Sequence, residues 1–111
     1  MASVDECREA LLKLDARMDE NADAGNKIDL DRTLATRITD HQVAFHGRLT
    51  GGRLVGIADG DDPAAKIVLT ANSDDLVAMI DGREDITRLL AARRISIRAN
   101  PFDLLKLRKL L

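Results

Sequence analysis

Two histidines, His41 and His46, are the imidazoles this chain offers as a general base or metal ligand, and they stand five residues apart. On a continuous strand that odd spacing sends the two rings to opposite faces. No zinc-ligand spacing surrounds them, so they read as surface histidines. The one cysteine, Cys7, falls on an apolar stripe with Val4, Leu11, Leu14 and Met18, where a small thiol packs and does not attack. Asp59, Asp61 and Asp62 lack the spaced oxygen ligands and closing glutamate of an EF-hand and read as a solvated turn. Gly47, Gly51, Gly52 and Gly56 come without a phosphate-loop lysine and sit between strands, so they shape a hairpin instead of cradling a nucleotide. None of the 19 carboxylates can be paired across a cleft from sequence. The expectation is a chain without a catalytic centre, a metal site or a cofactor.

The elements that hold these residues follow from periodicity. Val4 to Met18 repeats at three and four, the mark of an amphipathic helix, and Ser3 with Glu6 forms a capping box at its start. Asn21 to Asn26, with Gly25, is its expected end. From Thr33 the period becomes two: Leu34, Thr36 and Ile38 oppose Ala35, Arg37 and Thr39. After a turn at Asp40-His41 a second strand carries Val43, Phe45 and Leu49, and Gly51-Gly52 closes a hairpin onto a third strand at Arg53 to Ala58. A polar loop through Pro63 precedes a fourth strand at Ala65 to Ala71, and four strands in succession predict an antiparallel meander. Ser73 is the expected N-cap of a helix that buries Leu76, Val77 and Ile80 and ends at Gly82. A short helix with Ile86, Leu89 and Leu90, a strand from Arg94 to Arg98, and a terminal helix from Asn100-Pro101 complete the chain.

Composition sets the bounds. With 111 residues, 45% apolar and 32% charged, the chain is expected to form a single domain over 1–111 around one core. It shows neither a run of ~20 apolar residues nor a secretory leader pattern, and the lone cysteine suits a reducing compartment, so a cytoplasmic protein is expected. Residues 1–82 carry 9 basic and 16 acidic side chains, and residues 83–111 carry 8 and 3, so the net charge of -2 hides a polarised chain. The basic end could meet anionic membrane headgroups, a carboxylate, or the acidic half of its own fold. Nucleic acid is excluded as a partner, because the chain is acidic overall and only Phe45 and Phe102 could stack on bases.

The order from Asn72 onward, an acid-started helix, Gly82, a second short helix through Leu89-Leu90, the alternating strand Arg94 to Arg98 and a Leu-rich helix, resembles the sterol carrier protein 2 (SCP2-like) family. The resemblance implies an α+β fold with a five-stranded, mostly antiparallel sheet covered by an N-terminal helix and short C-terminal helices. It further implies non-enzymatic binding or transfer of a hydrophobic small molecule, a fatty acid, acyl chain or sterol, in an apolar tunnel of ~300–1,000 Å³. The family often has glycines flanking its last strand, where this chain has Ala92-Arg93 and Ala99. The walls expected of such a tunnel are Leu76, Ile80, Ile86, Leu89, Leu90, Ile97, Phe102 and Leu105, with Arg93, Arg94 or Arg98 available to a ligand carboxylate. On the terminal helix Leu104, Leu107 and Leu111 form one stripe, while Phe102 and Leu105 form another beside Lys106 and Lys109. The second stripe fits a tunnel wall, a homodimer interface, or simple packing between layers. The alternative function is a protein-interaction or dimerisation module of the same fold with a filled core.

Overall fold

The fold comes from a computed structural model that describes the backbone of residues 1–23, 31–51 and 53–110 and the side chains of 1–17, 31–51 and 53–106. Helix α1 (Val4–Asp23) opens on the expected capping box: Glu6 N donates to Ser3 Oγ at 3.1 Å and Ser3 N donates to Glu6 Oε1 at 3.2 Å. Cys7, Ala10 and Leu11 bury one side of it, with Val4 and Leu14 partly buried against the same core. Met18 and the expected stop at Gly25-Asn26 lie outside the described side chains and residues respectively.

Five strands follow: β1 (Arg32–Ile38), β2 (Val43–Thr50), β3 (Arg53–Asp59), β4 (Ile67–Ala71) and, after two helices, β5 (Ile95–Arg98). They form one sheet in the order β3-β2-β1-β4-β5. The expected meander holds for β1, β2 and β3 and then fails. Strand β4 crosses to the far edge of β1 and pairs with it in parallel, Leu34 against Ile67 and Ile38 against Ala71, while β5 pairs antiparallel with β4. Alternation reveals which face a strand buries but not its partner. The sign of the central position is the unbroken run Ile67-Val68-Leu69, buried on both faces as parallel strands are. On the side away from the helices, Val68 packs with Ala35 and Ala65. Gly47 lies where β2 and β3 lose register, and a Cβ there would stand 3.0 Å from the Val55 carbonyl oxygen.

Helix α2 (Ser73–Ile80) is capped by Asn72, not by Ser73 as expected: Asp75 N donates to Asn72 Oδ1 at 2.7 Å. Ser73 instead gives its hydroxyl and backbone N–H to Asp40, in the β1–β2 turn, at 2.5 and 2.9 Å. Asn72 wins because its longer amide reaches the N3 amide while Ser73 is already inside the first turn. Gly82, with φ 77°, ends the helix in the left-handed conformation glycine tolerates. Helix α3 (Ile86–Ala91) follows, capped by Asp85, and the chain turns into β5 through Arg93 at φ 59°. Arg93 thus carries the left-handed strain that a glycine would avoid. Helix α4 (Pro101–Leu110) starts where Asn100 accepts from Phe102 N at 2.9 Å.

Ion pairs stitch the layers. Asp15 on α1 accepts from Arg53 Nε and Nη2 at 2.8 Å each and from Leu54 N at 3.0 Å, which ties the helix to the edge strand β3. The Arg53 hydrogen bonds hold the Asp15 carboxyl below the usual carboxylate range, against burial, which pushes it up. A lowered folded-state value gives stability that is present above the unfolded pKa of ~3.9 and lost as pH falls through the folded value. Asp15→Asn is therefore expected to lower the unfolding free energy by about 1–3 kcal/mol at neutral pH. Denaturant titrations should show that gap closing in acid.

Cys7 is fully buried, and its thiol is pushed up to about 11 by burial first and then by Asp40, Glu6 and Asp74. At neutral pH a thiol reagent should leave Cys7 unlabelled in the folded chain and label it once denaturant is added.

Candidate functional site

The helices cover one face of the sheet, and that face is apolar along its length. In the direction across the strands it presents Leu34 beside Ile67, then Thr36, Leu69 and Ile97, then Ile38, Ala71 and Ile95. Phe45, Leu49 and Leu54 extend it onto β2 and β3. Thr36 is the polar exception, 1% exposed, and no buried side-chain polar atom among the described residues lacks a partner.

Between this face and the helices lies an internal cavity of about 40 Å³ whose exposed walls are entirely apolar. Leu11 and Leu14 of α1 close it from above, Leu34, Thr36, Leu49, Ile67 and Leu69 form its floor, and Met79, Ile80 and Ile97 close its side. A water's share of liquid volume is ~30 Å³, so this space holds one small molecule at most, far below the tunnel volume expected from the resemblance. Among the described side chains, Leu11 and Leu14 of α1 and Met79 and Ile80 of α2 pack down toward the sheet and take up this part of the layer.

Of the eight wall residues expected from sequence, the structure brings Ile80 and Ile97 to the cavity. Leu76, Ile86 and Leu89 are buried in the surrounding core, and Leu90 packs against its margin. Phe102 and Leu105 face solvent, 75% and 59% exposed, and do not reach the cavity. The walls that sequence reasoning left as ordinary core come from α1 and from the inner rows of β1, β2 and β4. Their shared period was legible, but the parallel β1–β4 pairing that sets Leu34 beside Ile67 was not.

None of the arginines offered for a ligand carboxylate faces this space. Arg94 is engaged by Asp75 through Nε at 3.3 Å and through a second, shorter contact from Nη2. Asp75 is 2% exposed as a residue and also accepts from Asn72 Nδ2 at 3.0 Å. Arg98 pairs in register with Val68 and so lies on the opposite face of the sheet, and Arg93 is exposed in the α3–β5 turn. At the end of the sheet nearest Leu34, Arg32 Nε donates to Asp103 Oδ2 at 3.0 Å, which fastens α4 to the start of β1. Asp103 is only 5% exposed.

A second space, an open groove of about 630 Å³, runs from the N-terminal part of α1 to the β1–β2 turn. Its rim is polar: Arg8 bonds Asp5 at 2.6 Å and Asp59 at 3.0 Å, and Arg37 pairs with Asp61 at 3.2 Å. The Arg8 guanidinium also lies 5.3 Å above the Phe45 ring, closing the groove toward the core. The loop carboxylates Asp59 and Asp61 thus serve as ion-pair partners. Among the described residues no group of three His, Cys, Asp or Glu side chains is placed to hold a metal. His41 Nε2 contacts the Ala2 carbonyl oxygen at 2.6 Å and His46 Nδ1 the Gly60 carbonyl oxygen at 3.0 Å, so the two rings serve separate backbone sites. No helix of the described residues is long and apolar enough to cross a membrane.

Comparison with solved structures finds the same fold. The Sterol Carrier Protein-2 of Aedes aegypti, determined as a complex with palmitate, is 21% identical with a TM-score of 0.67, over 97% of this chain and 94% of that one. Sterol Carrier Protein 2 Like 2 from the same organism is 14% identical with a TM-score of 0.64, over 94% and 98%. The sec-alkylsulfatase Pisa1 from Pseudomonas sp. is 18% identical with a TM-score of 0.60, over 73% of this chain but only 13% of the sulfatase. No curated protein sequence matches the chain. The SCP-2 sterol transfer family matches residues 9–111, nearly the whole sequence, and the protein belongs to that family.

Proposed function

We propose that this chain, acting as one unit over residues 1–111, binds and transfers a single hydrophobic ligand, a fatty acid, acyl chain or sterol, between the helices and the apolar face of its sheet. The observation that carries this reading is the cavity beneath α1, whose exposed lining is apolar and which lies within a fold of the SCP-2 sterol transfer family. The palmitate complex of the Aedes aegypti relative supports an acyl chain as ligand. No catalytic step is part of the proposal, and a cytoplasmic setting fits the buried, unpaired Cys7.

At 40 Å³ the cavity marks where the layers part, not the full volume of an occupied site. Leu14 and Ile97 are only partly buried at its edge, so separation of α1 and β5 from each other enlarges it with the least loss of packing. An acyl chain replaces the lost contacts: each buried CH₂ contributes about 0.8 kcal/mol, roughly fourfold in affinity.

Two measurements test this. Lipid extracted from the purified chain and read by mass spectrometry should reveal a co-purified acyl or sterol species, and a fluorescent fatty acid should titrate to saturation. Competing acids should then gain affinity with each added carbon until the site is filled. Ile97→Phe, which adds bulk at the cavity edge, is expected to weaken binding by about tenfold while circular dichroism stays unchanged. Absence of both bound lipid and saturable titration would refute the proposal.

A further inference from the structure

Thr36 stands at the centre of the apolar face, in register with Phe45 of β2 on one side and Leu69 of β4 on the other. Although the residue is only 1% exposed, its hydroxyl forms no hydrogen bond with the described residues. Every described side-chain polar atom that is fully sealed does have a partner, so the sliver of Thr36 left open includes its Oγ1. Two internal spaces meet here. One is the cavity of about 40 Å³, whose exposed lining is wholly apolar. The other, of about 10 Å³, lies between α1, β1, β2 and β3 against Phe45, Gly47, Leu54 and Ile57, and a small part of its exposed lining is polar. Leu11, Leu34 and Thr36 are walls of both. Thr36 therefore shows only carbon to the larger space and opens its hydroxyl on the smaller. At ~10 Å³ that space is at the lower limit for one water, which needs about two to four polar partners. The side chains around it supply one, because the His46 ring is held by the Gly60 carbonyl oxygen at 3.0 Å. The fold gains nothing from an unpaired hydroxyl in this layer, where valine has nearly the same shape without the desolvation cost.

We propose that Thr36 reads the polar end of the ligand, and that this ligand is a long-chain primary alcohol bound with its hydroxyl inward. The proposal rests on the lipid-binding reading above and names the ligand class of that site. A chain that parts the layers and passes Leu11 joins the two spaces, and its terminal hydroxyl then shares a hydrogen bond with Thr36 Oγ1. A carboxylate fits this end poorly. No lysine or arginine among the described residues lines either space, and an ionised carboxylate buried without a cation costs far more than a neutral hydroxyl that is hydrogen-bonded. A fatty acid can use the layer only with its carboxylate left at the solvent end, where it does not meet Thr36. A fused ring system would have to part the layers further than a single alkyl chain, which the small volume of both spaces disfavours.

Displacement of the fluorescent fatty acid by dodecanol and by dodecanoate is measured on the delipidated native chain, Thr36→Val and Thr36→Ser, beside urea unfolding of each protein without ligand. Thr36→Val is expected to weaken dodecanol by about fivefold, the effect of one neutral hydrogen bond, and to leave dodecanoate within about twofold. Thr36→Ser keeps the hydroxyl and should keep the native preference for dodecanol over dodecanoate. Without ligand, Thr36→Val should unfold at the same or a higher urea concentration, because a hydroxyl with no protein partner has been removed. Equal weakening of both ligands by Thr36→Val, an unchanged dodecanol affinity, loss of the preference in Thr36→Ser, or a lower urea midpoint for ligand-free Thr36→Val would each overturn the proposal. Failure of both compounds to displace the fluorescent acid from the native chain refutes the ligand site itself, whereas displacement by both with no dependence on Thr36 refutes the hydroxyl contact alone.

Discussion

Because β1 and β4 run parallel in register, Leu34, Thr36 and Ile38 stand in line with Ile67, Leu69 and Ala71, and covering that apolar row is the constraint on which the other elements depend. A five-stranded sheet with one such face cannot remain open to water. Helix α1 supplies Cys7, Ala10 and Leu11, α2 supplies Leu76, Met79 and Ile80, and α3 adds Ile86 and Leu89 at the margin. The helices are then fixed in place by polar bonds at their ends: Asp15 to Arg53 for α1, Asp40 to Ser73 for α2, and Asp103 to Arg32 for α4. Apolar burial supplies most of the driving force, and these bonds set where each helix lies.

The same arrangement explains why a cavity persists at the centre. Aliphatic side chains projecting from the sheet and from two helices do not interdigitate everywhere, and the space left between Leu11, Leu69 and Ile80 presents no exposed polar atom that would draw in water. A polar residue pointing into this gap would have closed the question of a hydrophobic ligand. Thr36 is the nearest approach to one, and it leaves the exposed lining apolar.

Most of the element order could be read from periodicity and caps, because the Ser3–Glu6 box, the Leu34-Thr36-Ile38 alternation and Gly82 are local signals with local causes. What the sequence hid was pairing. Ile67-Val68-Leu69 reads as buried on both sides, yet nothing within that run names β1 as its neighbour, and without this pairing the cavity floor could not be assembled. The terminal helix misleads for a related reason. Its apolar residues occupy more than one face, and an amphipathic pattern does not tell a residue that faces a core from one that faces outward. Ile97 reached the cavity edge while Phe102, five residues later, turned to solvent, because the chain bends at Asn100 before α4 begins.

Charge follows the same division between local and global. The acidic residues of the first 82 positions are largely spent on structure: Asp15, Asp31, Asp59 and Asp61 each hold an arginine, and Asp75 holds Arg94. The exposed pairs among these, those of Asp31, Asp59 and Asp61, contribute little each and mainly cancel field on that side of the molecule, whereas Asp15 and Asp75 are held away from solvent. Asp103, the one carboxylate of α4, is buried and committed to Arg32 at the start of β1. Fastening α4 through Asp103 thus uses the helix's only carboxylate inside the fold, while Phe102 and Leu105 of the same helix stay exposed.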